Sequence, residues 1–301
     1  MKYIFIVNGR ADKAASRKQT IGEIEQYACN VAYEIYETEG MGDATRYTHV
    51  YCDLHAAEEV CFVACGGDGI INEVASGIIG FEHKSMAIIA GGGNGNDFIK
   101  YYPERCFTDI KAMLEGETES IDILKINDSY SVNVCNFGFD AVVGHTANEM
   151  MVKGKSNPYR RGIIRAIFIG RFNRIDVWAD GEKLGKKRML LCTLANNRYV
   201  GGEFLCAPRA KNNDGLIEVC YLKPMSLLRF LLLLPSYAKG RHLENKHFRK
   251  KIIYRQAKTL TITSPNLIEL CLDGEILPGG TFNVEILPKA LSLRLPKIQH
   301  S

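Results

Sequence analysis

Twice near its start, the chain runs an apolar segment straight into a glycine-rich turn. Val60-Cys61-Phe62-Val63-Ala64 leads into Cys65-Gly66-Gly67-Asp68-Gly69-Ile70-Ile71-Asn72-Glu73. Met86-Ala87-Ile88-Ile89-Ala90 leads into Gly91-Gly92-Gly93-Asn94-Gly95-Asn96-Asp97-Phe98. Glycine tolerates positive φ and close backbone approach. A strand that turns through glycines into a helix points backbone N–H groups at an anion. Few folds accommodate two such units in sequence. An α/β layout with a mainly parallel sheet does, because its ligands sit past the carboxyl ends of the strands.

The surrounding pattern agrees over roughly the first 120 residues. Strands are expected at Tyr3–Val7, Tyr33–Thr38, Val60–Ala64 and Met86–Ala90. Helices are expected over Ser16–Ala32, from a cap at Asp43 toward Ala57, after Ile70, after Asn96 and near Phe107–Leu114. Beyond Ile121 short apolar runs alternate with polar turns such as Asp180-Gly181, Asp214-Gly215 and Pro278-Gly279-Gly280. That texture predicts an antiparallel, sandwich-like β-rich domain, with helical insertions at Asn157–Arg171 and Ser226–Lys239. The expected domains are residues 1–123 and 124–288, with residues from about 289 to 301 returning to the first.

The ten cysteines do not suggest a disulfide scaffold. Most lie in apolar runs, where a free thiol packs as a small hydrophobe, and no CxxC pair supports a zinc site. A reduced, cytoplasmic setting is the default. The longest apolar stretch, Leu227 to Leu234, contains Arg229 and is too short to span a bilayer. Net charge is +4, but the cations are clustered. Residues 153–174 hold seven and no acid, and residues 239–258 hold eight against Glu244 alone. Such segments are either solvated helix faces or surfaces that attract phosphate or an anionic membrane.

Common nucleotide motifs fail. Gly154-Lys155-Ser156 has Glu149 where a P-loop needs glycine, and Gly67 to Asn72 is one residue short of a dinucleotide fingerprint. A single glycine loop would be read as a tight turn. Two, each with an Asp and an Asn, suit phosphate binding beside Mg²⁺, which Asp68 and Asp97 could hold directly or through water.

In order along the chain, Gly66-Gly67-Asp68-Gly69-Ile70-Ile71-Asn72-Glu73-Val74, Gly93-Asn94-Gly95-Asn96-Asp97-Phe98, Ile121-Asp122, Asp214-Gly215-Leu216 and Leu272-Asp273-Gly274-Glu275 resemble the diacylglycerol kinase catalytic family. That family includes bacterial lipid kinases, sphingosine kinases and ceramide kinases. The resemblance runs over nearly the whole chain and implies a fold like that of NAD kinases and diacylglycerol kinases. It implies ATP on the two loops, at Gly66, Gly67, Asp68, Gly69, Ile70, Ile71, Asn72, Gly93, Asn94 and Asn96, with further contacts at Asn8, Arg10 and Thr38. Glu275 corresponds to the family's proposed general base, and Asp68 and Asp97 to its catalytic carboxylates. A structural metal is implied at Asp214 with main-chain oxygens of Lys211 and Leu216.

The activity implied is ATP- and Mg²⁺-dependent phosphorylation of a membrane lipid hydroxyl, with diacylglycerol foremost. The chain would touch an anionic membrane surface peripherally, with no nucleic-acid partner. A homodimer is compatible with the resemblance. Alternatives are an NAD kinase, or a nucleotide- or lipid-sensing module with little turnover. Both Asp273-Gly274-Glu275 and Asn212-Asn213-Asp214-Gly215 are also readable as plain turns. The chain departs from the family pattern at Ile70 and Asn94, where threonines are usual, and at Asn8-Gly9-Arg10-Ala11-Asp12, which lacks the usual Pro.

Overall fold

The structure, a computed structural model, describes residues 1–9, 14–91, 95–138, 142, 146, 149–150, 174–185 and 188–298. The chain divides into two compact units, Met1–Ile123 with Pro288–Ser301, and Leu124–Leu287.

The first unit alternates strand and helix: β1 (Lys2–Val7), α1 (Ala14–Tyr27), β2 (Tyr33–Glu37), α2 (Asp43–Leu54), β3 (Val60–Gly66), α3 (Asp68–Ile78), β4 (Lys84–Ala90) and α4 (Ile110–Leu114). Its strands pair in the order β2-β1-β3-β4, all parallel. The last part of β14 (Glu275–Leu295) adds to β4, also in parallel, with Leu293 opposite Met86. Buried Phe5, Val63, Ala87 and Ile89 meet Ile24, Ile110 and Met113 in the core of this unit. Strands covered on both faces read as unbroken apolar runs, which is why they were visible in the sequence.

Asp43 is not a helix cap. Gly42 precedes α2 with φ 80°, and the Asp43 carboxylate turns back to accept from Glu39 N and Tyr36 Oη, both at 2.9 Å. The cap of α2 comes instead from Glu73, whose Oε2 accepts from Ala44 N at 3.1 Å.

The second unit holds β6 (Ser129–Ser131), β7 (Val134–Gly138), β8 (Asp176–Ala179), β9 (Glu182–Leu184), β10 (Leu191–Ala195), β11 (Ile217–Leu222), α5 (Leu227–Ala238), β12 (Ile252–Ala257), β13 (Thr259–Leu272) and the first part of β14. The strand β5 (Glu117–Ile126) leads in from the first unit. Strands β12-β11-β10-β7-β13-β14 follow one another, antiparallel throughout. Alternate residues of these strands feed two cores. Cys135, Phe137, Cys192, Leu194, Val219 and Tyr221 join Leu260, Ile262 and Phe282. Val134, Leu191, Cys220 and Leu222 face Phe230, Leu233 and Tyr237 of α5.

Pro278-Gly279-Gly280 is not a turn. Pro278 and Gly279 lie inside β14, opposite Glu269 and Ile268, where β13 shifts register after Thr263. Gly279 is needed because a Cβ there would come within 2.6 Å of the Phe282 ring. The expected helix at Asn157–Arg171 lies outside the described residues, as does nearly all of the cationic segment 153–174.

Candidate functional site: two adjoining glycine loops

β3 ends at Gly66, and α3 begins at Asp68 after Gly67, which is extended and offers no side-chain cap. The first intrahelical bond of α3 runs from Ile71 N to Gly67 O at 3.2 Å, so the amides of Asp68, Gly69 and Ile70 belong to its open first turn. β4 ends beside it, and Gly91 N donates to Gly66 O at 3.0 Å. A Cβ on Gly91 would lie 3.1 Å from the Gly66 Cα, so the two glycine loops leave neighbouring parallel strands side by side, backbone against backbone.

Asp68 ties the two loops together. Its Oδ2 accepts from Asp97 N and its Oδ1 from Phe98 N, both at 3.1 Å. Burial pushes the Asp68 carboxyl up, and these two amide donors pull it back down. Asp97 is buried, and its Oδ1 takes Lys100 Nζ at 2.8 Å. Gly95 lies between the carboxylates: a Cβ there would sit 2.9 Å from Asp68 Oδ2 and 3.6 Å from Asp97 Oδ2. Any side chain at position 95 would fill the space that two acidic oxygens share. Asn96, held at φ 49°, donates to Gly91 O at 3.3 Å. The Oδ1 atoms of Asn96 and Asn72 are buried without a hydrogen-bond partner among the described residues.

The other expected nucleotide contacts are distributed differently. Thr38 Oγ1 accepts from Gly9 N at 3.2 Å and so shapes the turn after β1. Asn8 adjoins that turn, while Arg10, Gly93 and Asn94 lie outside the described residues. The side chains of Ile70 and Ile71 are both buried on the inner face of α3. An isoleucine favours that face because burying it is worth about 2 kcal/mol.

In the second unit, Asp273 and Gly274 form a two-residue hairpin with φ 45° and 96°, and Leu272 pairs with Glu275 across it. Positive φ at both central residues is what a type I′ turn demands. The Asp273 carboxylate collects Ser131 Oγ at 2.9 Å, Val132 N at 2.8 Å and Val134 N at 2.9 Å, with Asn133 N at 3.4 Å. Glu275 follows this anchored turn and is exposed.

Asp214 lies on a surface turn, its Oδ1 accepting from Leu216 N at 3.1 Å, with Gly215 at φ 72°. One carboxylate beside main-chain carbonyls is a donor set that a hard cation accepts. No group of three or more His, Cys, Asp or Glu side chains is gathered among the described residues.

Three residues with clear jobs escaped the sequence reading. Glu73 caps α2, Asp273 anchors the hairpin, and buried Asp122 accepts from Lys289 N at 2.8 Å. Lys289 has φ 53°, a strained value for a side-chain-bearing residue. All three acids lie within the family-like motifs, but their partners are 29 to 167 residues away in the chain.

The profile of the diacylglycerol kinase catalytic domain matches residues 2–126. That of the YegS C-terminal NAD kinase beta sandwich-like domain matches residues 133–295. A "Probable lipid kinase YegS-like" from Yersinia enterocolitica is 30% identical, covering 88% of each chain. A "Diacylglycerol kinase" from Bacillus subtilis is 26% identical over 89% of this chain and 88% of its own. The crystal structure of a diacylglycerol kinase from Bacillus anthracis superposes with a TM-score of 0.69 at 20% identity, covering 98% of this chain and 96% of that one, a likeness of fold.

Proposed function

The chain belongs to the diacylglycerol kinase catalytic family of lipid kinases, and from that premise we propose that it transfers the γ-phosphate of ATP to a lipid hydroxyl, with diacylglycerol as the acceptor. The observation that carries the reading is the close approach of the glycine loops at Gly66 and Gly91, with Asp68 and Asp97 flanking Gly95. Open amides at the start of α3 suit phosphate oxygens. The shared acidic space at Gly95 suits Mg²⁺, which when bound neutralises charge on the phosphates. The buried Oδ1 atoms of Asn72 and Asn96 suit a donor brought by the ligand, such as a ribose hydroxyl or a metal-bound water.

In the transfer, the acceptor oxygen forms a bond to the γ-phosphorus while the bond to the β,γ-bridging oxygen breaks and ADP departs. Glu275 takes the acceptor proton as general base. At the second unit, Asp214 with carbonyls of Lys211 and Leu216 would hold a structural cation.

Incubation with labelled ATP, Mg²⁺ and either diacylglycerol or NAD should give labelled phosphatidic acid and no NADP. Glu275→Gln should lower lipid phosphorylation at least about a hundredfold while ATP still binds. Labelled NADP, or full activity in the Glu275→Gln chain, would remove this reading.

A further inference from the structure

α5 is apolar on two faces. Phe230, Leu233 and Tyr237 are buried against the sheet. Leu228, Leu231, Leu232 and Pro235 follow the i, i+3, i+4, i+7 spacing of the opposite face. That face is open: Leu228 is 69%, Leu231 44% and Leu232 63% exposed. A helix that is apolar all round belongs in an apolar environment on both sides. Large exposed leucines in one stripe mark a docking surface, whereas scattered single ones do not.

The sequence around the stripe is cationic: residues 223–258 contain ten Lys and Arg against one acid, Glu244, although Arg255 pairs with Glu182. At the N-terminal end of α5, Lys223 N donates to Lys251 O at 2.8 Å and Lys251 Nζ to Pro224 O at 3.1 Å, which brings the Arg249-Lys250-Lys251 turn beside the start of the helix. At the other end, Gly240 N and Arg241 N close the helix onto Tyr237 O and Ser236 O, leaving Lys239 and Arg241 exposed there. Arg229 is exposed on the helix itself.

We propose that the Leu228–Leu231–Leu232 face of α5, rimmed by these cations, docks on an anionic lipid bilayer and lies in its interface. A twelve-residue helix is about 18 Å long, too short for a core of about 30 Å, and no helix among the described residues is long and apolar enough to cross a membrane. Leucines on one side and Lys and Arg at the edges are the make-up of an interfacial helix. A second copy of the chain fits less well, because a twofold contact would set one cationic rim against the other. The proposal rests on the kinase reading for its purpose, since it brings the chain to where a lipid acceptor resides.

The test is sedimentation with vesicles of phosphatidylcholine, with and without phosphatidylglycerol, in the absence of ATP. The wild-type chain should sediment with the anionic vesicles, less so at high salt. Leu228→Gln/Leu232→Gln and, separately, Arg249→Glu/Lys250→Glu should each weaken binding roughly tenfold or more, with unchanged unfolding temperature. Leu228→Gln/Leu232→Gln should still phosphorylate short-chain diacylglycerol dispersed in detergent. Undiminished vesicle binding by the leucine variant overturns the proposal. So does a wild-type dimer that this variant dissociates, which would assign the face to a second copy. Binding through α5 by a chain that phosphorylates no lipid would leave the docking surface standing and remove the kinase reading.

Discussion

The chain contains the tripeptide Asp-Gly-Glu twice, and the two copies separate what a residue type can do from what its surroundings make of it. Asp180-Gly181 and Asp273-Gly274 both take positive φ at both positions and both close two-residue hairpins. The sequence makes both turns legible, because Asp and Gly tolerate positive φ better than most residues. It does not rank them. Asp180 accepts from Lys258 N and Thr259 N at an exposed edge, and Glu182 pairs with Arg255 at 2.8 Å. Asp273 satisfies several part-buried donors at once, starting from Ser131 and Val132. Asp273→Ala should therefore cost about 3 kcal/mol in urea unfolding and Asp180→Ala about 1 kcal/mol, since buried donors left without an acceptor pay their desolvation in full. Equal losses would mean that the Asp273 contacts are no more than a turn's own.

Among the elements, α3 shows how a motif divides into ligand-facing and structural parts. Gly69 has no heavy atom within 4 Å of an added Cβ, whereas one on Gly77 would come 1.9 Å from Thr48 Oγ1 and 2.7 Å from Thr45 O. Gly77 thus lets α2 and α3 pack close together. Gly69→Ala should leave stability unchanged or raise it by about 0.5–1 kcal/mol, and Gly77→Ala should destabilise by about 2–3 kcal/mol, as thermal unfolding of the two variants would report. Element boundaries were legible where local chemistry sets them. At Gly240, for instance, α5 ends with Gly240 N bonded to Tyr237 O and Arg241 N to Ser236 O. They were not legible in β13 and β14, where Pro265, Pro278 and two glycines look like breaks. A register shift absorbs them there, and no local signal announces it. β12 was missed as well, because four of its six residues are only half-buried.

At the scale of the whole molecule, burial decides chemistry that composition leaves open. Eight of the ten cysteines are buried, and Cys29 and Cys106 are exposed. Burial pushes the Cys52 and Cys61 thiols up to about 11 and Cys192 to about 12. A thiol reagent at neutral pH should therefore label two groups quickly and all ten only after unfolding. More than two fast thiols in the native chain would contradict this packing. The sequence by itself determined the fold class, the strand-to-glycine-loop units and the family, because apolar runs and positive-φ glycines are local requirements with few solutions. Only the tertiary structure decided which acids do which work. Asp68 joins two loops, Glu73 caps a neighbouring helix, Asp122 holds Lys289 and Asp273 anchors a hairpin. Each does so through backbone amides distant in sequence, and a carboxylate's partner is set by what folding brings within 3 Å or so of it.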